Sequence, residues 1–145
     1  MSSTRWFTDT RMRILVSEPT QSLIEAEALQ GNMPPLHVHH DEDETFCVVD
    51  GRLTLLTAEG SVELGVGEAA FAPRGVPHVY RVESERARWL VTTTGGGFAA
   101  FVEETSTPAE NDGFAAPEHM ASPDVLAAAA GRRGIELLGP PGMLP

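Results

Sequence analysis

The sequence predicts an all-β sandwich or barrel. From residue 11 to residue 104, short apolar segments alternate with Gly- and Pro-containing turn signals. Helical periodicity is nearly absent over the same range. One segment, "SLIEAEAL" (22–29), shows the strand period directly: Leu23, Glu25 and Glu27 alternate with Ile24, Ala26 and Ala28.

The elements read in order. "RMRILV" (11–16) is a first strand, and Pro19 separates it from "SLIEAEAL". "TFCVVDGRLTLLT" (45–57) holds two β-prone runs around Asp50-Gly51, the composition of a two-residue hairpin turn that needs positive φ. "AEGS" (58–61) turns the chain into "VEL". "GEAAFAP" (67–73), "VPHVYRV" (76–82) and "RWLVTTT" (88–94) complete the strands. Gly95-Gly96-Gly97 has no predicted helix after it and reads as a flexible turn or a lid hinge, not a phosphate loop. The predicted barrel occupies residues 1–104. Residues 105–145 form a C-terminal extension of the same domain: a loop, a helix over 122–133 and an apolar tail. Ser122 caps that helix, Pro123 and Asp124 suit its first turn, Arg132 and Arg133 suit its last, and Gly134 can stop it.

Composition limits the function classes. The 145 residues suffice for one core. Ten Lys and Arg against 21 Asp and Glu give a formal charge of -11, which repels nucleic acid and anionic membrane. No apolar run has the length of a membrane span or of a signal peptide. A single cysteine, Cys47, excludes an intrachain disulfide, and a cytoplasmic location is expected. By parity Cys47 points away from the Glu44 face and is expected as a packed thiol. Residues 1–16 could be an edge strand exchanged in a homodimer.

Chemistry concentrates in "HVHHDEDET" (37–45). His37 and His39 stand at i and i+2, so on a strand both imidazoles face one point. A carboxylate a few residues on can return to that point, and His78 in "VPHVY" is the natural fourth group. Imidazole and carboxylate together suit a divalent transition ion. His78 shares a face with Val76, Tyr80 and Val82, where an unpartnered imidazole is poorly placed unless it binds something. His40 is expected exposed or in contact with the ligands, and His119 at the surface.

The spacing resembles the cupin superfamily. Gly31, His37, His39, Glu44 and Gly51 stand as in its first motif, with five, one, four and six residues between them. Gly67, Pro73, Gly75 and His78 stand as in its second. The departure is Val82, where the family often has Asn. The resemblance implies a double-stranded β-helix, or jelly-roll barrel, with the short C-terminal helix packed on it. It implies one divalent transition metal ion (Fe, Ni, Mn, Co, Zn or Cu) held by His37, His39, Glu44 and His78, with positions left open for a ligand. Asp43 also satisfies the motif spacing, but only Glu44 leaves six residues to Gly51. Asp41, Glu42 and Asp43 are then expected as solvent-facing loop carboxylates.

Parity and position assign a pocket to Met33, Phe46, Val48, Tyr80, Val82, Trp89, Val91, Phe98 and Phe101. "PPLHVHHDEDETFCVVDGRLTLL" and the tail "GIELLGPP" are similar to small single-domain bacterial cupins related to quercetin 2,3-dioxygenase. That resemblance implies an enzyme of secondary metabolism acting on an aromatic or enolic small molecule. Glu44 would be its catalytic base and dioxygen its co-substrate. The alternatives are a non-oxidative cyclase or isomerase of aromatic polyketides, and a non-catalytic small-ligand-binding cupin.

Overall fold

The computed structural model describes residues 3–115 and 120–145; His119 lies outside them. In chain order the elements are β1 (Thr4–Phe7), β2 (Thr10–Glu18), β3 (Gln21–Leu29), β4 (Pro35–His39), β5 (Glu44–Asp50), β6 (Leu53–Thr57), β7 (Gly60–Leu64), β8 (Ala69–Ala72), β9 (His78–Val82) and β10 (Arg86–Thr93). Then come α1 (Gly97–Thr105), β11 (Thr107–Pro108), α2 (Pro123–Gly131) and β12 (Ile135–Pro141). The strands make two antiparallel sheets, ordered β11-β1-β2-β3-β10-β5-β8 and β12-β4-β9-β6-β7. They face each other as a jelly-roll sandwich, as the all-β reading expects. No described helix is long and apolar enough to cross a membrane.

The period-two segment behaves as its pattern requires. Ser22, Ile24, Ala26 and Ala28 of β3 are buried and the intervening residues are not. Phe46 and Val48 of β5, Leu53 and Leu55 of β6, Val82 of β9, and Trp89 and Val91 of β10 fill the space between the sheets. Ala26 is the register partner of Trp89 on the neighbouring strand, and both are buried in the same core.

Three expectations need correction. Asp50-Gly51 is not a hairpin turn. β5 and β6 lie in different sheets, and the turn carries the chain across the sandwich. Gly51 is still required there: its φ is +79°, and a Cβ would run into the Arg86 carbonyl. β6 and β7 do form the hairpin expected at "AEGS", with Thr57 opposite Gly60.

Secondly, a helix does follow the three glycines. α1 begins at Gly97 and buries Phe98, Ala99, Phe101 and Val102. That is an i, i+3, i+4 stripe, masked in the sequence by the glycines and by the absence of a side-chain cap at Gly96. Thirdly, the missing cap comes from Glu42, which is not a solvent-facing carboxylate. It is buried, and its oxygens accept from the backbone N–H of Gly97 at 2.7 Å and of Phe98 at 3.2 Å. The positive end of the helix compensates its buried charge.

Residues 4–18 pair within their own chain, β2 against β3 and β1 against β11. The C-terminal segment closes the molecule on the other side. Ser122 caps α2 by accepting from Val125 N–H, and Gly134 adopts φ +71° after it. Leu126, Ala129 and Ala130 of α2 are buried, and Arg132 and Arg133 pair with Glu104 of α1. β12 runs back along β4, with Ile135 opposite His39 and Leu137 opposite His37.

Glu42→Ala should leave two helix-end N–H groups without their acceptor and cost about 1–3 kcal/mol. Urea unfolding should show a lower midpoint with an unchanged slope, and Glu42→Gln should recover part of the loss.

Candidate metal centre

Backbone register assembles the site. His37 of β4 lies directly opposite His78 of β9, the single register pair joining those strands. His39 follows two residues on, facing the same side. Glu44 opens β5 in the other sheet, opposite Thr93 and Ala72. The intervening loop is fixed at the end next to Glu44: Asp43 accepts from Arg74 N–H and guanidinium, and the Thr94 N–H bonds the Asp43 carbonyl. One ligand atom from each of His37, His39, Glu44 and His78 lies within 4.8 Å of every other.

Two of the three imidazoles are oriented by backbone carbonyls. Nδ1–H of His37 donates to the Pro35 carbonyl at 2.7 Å, and Nδ1–H of His78 donates to the Val76 carbonyl at 3.0 Å. Each ring therefore presents its Nε2 lone pair toward the cluster. Glu44 Oε2 lies 2.7 Å from His39 Nε2 and 3.5 Å from His78 Nε2. None of these three atoms has an aligned hydrogen-bond partner among the described residues. Buried polar atoms converging on one point without partners fit a divalent cation.

Electrostatics agree. Burial, with His78 and His39 alongside, pushes the His37 imidazole down to about 3, so it is a neutral donor. Burial opposes ionisation of Glu44, but the adjoining His39 and His78 imidazoles outweigh it and hold the carboxyl well below its usual range. Burial likewise opposes a charge on His78, but the adjoining Glu44 carboxylate raises it.

A narrow cavity of about 50 Å³ adjoins the cluster. Phe46, Tyr80, Phe98 and Phe101 line it, together with His37, His39 and Glu44. Phe98 stands edge-on to His39 at 5.6 Å. Burial raises the Tyr80 hydroxyl above the usual phenol range, so it stays neutral. Val48, Val82, Trp89 and Val91 do not line this cavity; they sit beneath it in the core. Parity assigned them the right face but not the right depth. Met33 lines two outer depressions instead.

The sequence reading missed Phe7, Thr10 and Met12 from the first hairpin, and Leu126, Ile135 and Leu137 from the C-terminal segment. The signals were faint: the helical stripe Leu126, Ala129, Ala130, and the strand period of Ile135 and Leu137. His40 is exposed and pairs with Glu136 at 2.9 Å, away from the cluster. Cys47 is half-buried on the outer face of its sheet.

The family model for the cupin domain matches residues 26–93, which contain all four cluster residues. The match makes that stretch cupin-like and spans just under half of the chain. Over 93 residues the chain is 38% identical to quercetin 2,3-dioxygenase of Bacillus subtilis (strain 168), a match covering 61% of this chain and 27% of that protein. The chain thus spans about a quarter of that relative's length. Among solved structures, the polyketide cyclase RemF from Streptomyces resistomycificus superposes with a TM-score of 0.53 at 28% identity, over 59% of this chain and 66% of that one. KdgF from Halomonas sp. superposes at 0.57 and 17% identity, over 60% and 79%, and shares the fold alone. The stretch matched by the family model leaves out β1, β2, both helices and β12, which supply the remaining walls of this cavity.

His37→Ala and His78→Ala should purify folded but without stoichiometric metal, measured by elemental analysis beside circular dichroism. Full occupancy in either variant removes the residue from the site. Metal affinity of the wild type should rise with pH. His78 keeps its proton past the ordinary histidine value of about 6.5, and an ion must displace it. Titration should therefore show affinity levelling off only once His78 has deprotonated.

Proposed function

We propose that the protein is a metal-dependent cupin enzyme acting on an aromatic or enolic small molecule, as a quercetinase-like dioxygenase. One observation carries the reading: the buried His37, His39, Glu44 and His78 cluster forms the polar end of a cavity whose other walls are Phe46, Tyr80, Phe98 and Phe101. Such a site suits a planar ring bearing an acidic hydroxyl. The identity to quercetin 2,3-dioxygenase supports it.

A divalent transition ion would supply Lewis acidity and, with a redox-active metal, a route for electrons to dioxygen. The three imidazoles would hold it as neutral donors. Glu44 would serve as a ligand and as the base that takes the proton from the substrate hydroxyl at Oε2. The aromatic walls would clamp the ring plane and keep water from the reacting carbon. Few fixed cations lie near the cavity, which disfavours phosphorylated substrates.

The likeness to the polyketide cyclase RemF favours a second reading. There the same carboxylate would remove a carbon-bound proton from a polyketone, and the resulting carbanion would close a ring without oxygen.

Glu44→Gln preserves shape and removes the base. Turnover of a flavonol or polyketide phenolic should fall by about 10²–10⁴-fold. Oxygen-electrode assays with the metal-reconstituted wild type should show uptake matching product. Equal product under strict anaerobiosis would retire the dioxygenase reading in favour of the cyclase. Recovery of bound ligand unchanged under both atmospheres would make the protein a binder.

A further inference from the structure

We infer that the substrate site has two compartments, and that the outer one, built by the C-terminal segment, selects elongated multi-ring phenolics with an uncharged distal end. The inference rests on the functional reading above. The inner cavity holds about 50 Å³, little more than the space of a water or two. Pockets that enclose organic ligands run from about 300 to 1,000 Å³. A substrate that places an oxygen at the His–Glu cluster must therefore carry most of its rings elsewhere.

The structure provides that space next door. A groove of about 560 Å³ lies outside the cavity, walled by Met120, Ala127, Leu138 and Pro140 among others. Thr8, Pro35, Leu126 and Leu137 line both spaces and form the partition between them. The groove's charged residues are Asp9 and Asp124, with no described Lys or Arg in its lining. A phosphate or carboxylate tail would find repulsion there, whereas fused or linked rings would find apolar contact.

The partition also carries a backbone irregularity. Thr8, at the turn between β1 and β2, has φ +52°, the one positive φ at a described residue other than glycine. A β-branched residue is disfavoured in that region, and surrounding contacts must hold it there. It sits where inner and outer spaces meet. Of the four partition residues only Pro35 falls within residues 26–93. Length selection is thereby assigned to the segments flanking the cupin-like stretch, while the ligands stay inside it.

Ala127 is exposed on α2 and lines the groove alone, so Ala127→Trp fills the outer space without touching the cluster. Leu138→Trp does the same from β12 and guards against a folding defect in the first variant. Metal-loaded full-length proteins should be titrated with catechol, which has a single ring, and with quercetin. Metal content and melting temperature serve as controls. Quercetin should bind either variant about tenfold or more weakly than wild type, with catechol changed by no more than about twofold. Equal weakening of both compounds, or unchanged quercetin affinity in both variants, overturns the two-compartment site and leaves the functional reading standing. Wild type that binds catechol but not quercetin does the same. Wild type that binds neither removes the functional reading, and this inference with it.

Discussion

A carboxylate at 3% exposure inside an apolar sandwich must be neutralised, and the groups that face Glu44 are imidazoles. An unpaired charge so deeply buried would cost several kcal/mol. Much of the surrounding architecture meets that one constraint. β4 and β9 are held in the register that sets His37 against His78. Two backbone carbonyls fix the ring tautomers, and two Asp43 contacts with Arg74 and Thr94 anchor the loop that delivers Glu44. Protons on the imidazoles can balance the charge, and so can a divalent ion. The geometry that gathers these four groups makes the cluster receptive to metal.

The packing around the cluster follows from keeping water away from it. Phe46, Phe98 and Phe101 supply bulk, and Ala26, Ala28 and Ala72 belong to the same buried core. Glu42 ties this wall to the ligand loop. It lies two residues before Glu44 and holds the first turn of α1, from which Phe98 reaches His39. A displacement of that loop is therefore transmitted to the roof of the cavity through one buried carboxylate.

Local patterns made much of this legible. Period two revealed β3, and the i, i+2 spacing put His37 and His39 on one face. Fixed intervals of Gly, Pro, His and Glu disclosed the fold and gathered residues from two sheets. What stayed hidden depends on tertiary partners. Asp50-Gly51 has hairpin composition, yet strand runs on either side of a turn do not say whether they pair with each other or with distant strands. α1 lacks a local cap because Glu42, more than fifty residues earlier, provides it. Depth was equally invisible. Val48 and Val91 share a face with cavity residues, yet they are buried in the core and do not line the cavity.

β12 pairs with β4, the strand that carries two of the three imidazoles, and Leu137 opposes His37 across one hundred residues of sequence. Translation proceeds from the N-terminus, so β4, β5 and β9 leave the ribosome long before that partner exists. In the interval β4 has an open hydrogen-bonding edge, and the cavity lacks its Ile135 and Leu137 wall. The nascent protein is then at once most accessible to ions and most adhesive toward other strands. Arrival of the last strand ends both conditions together.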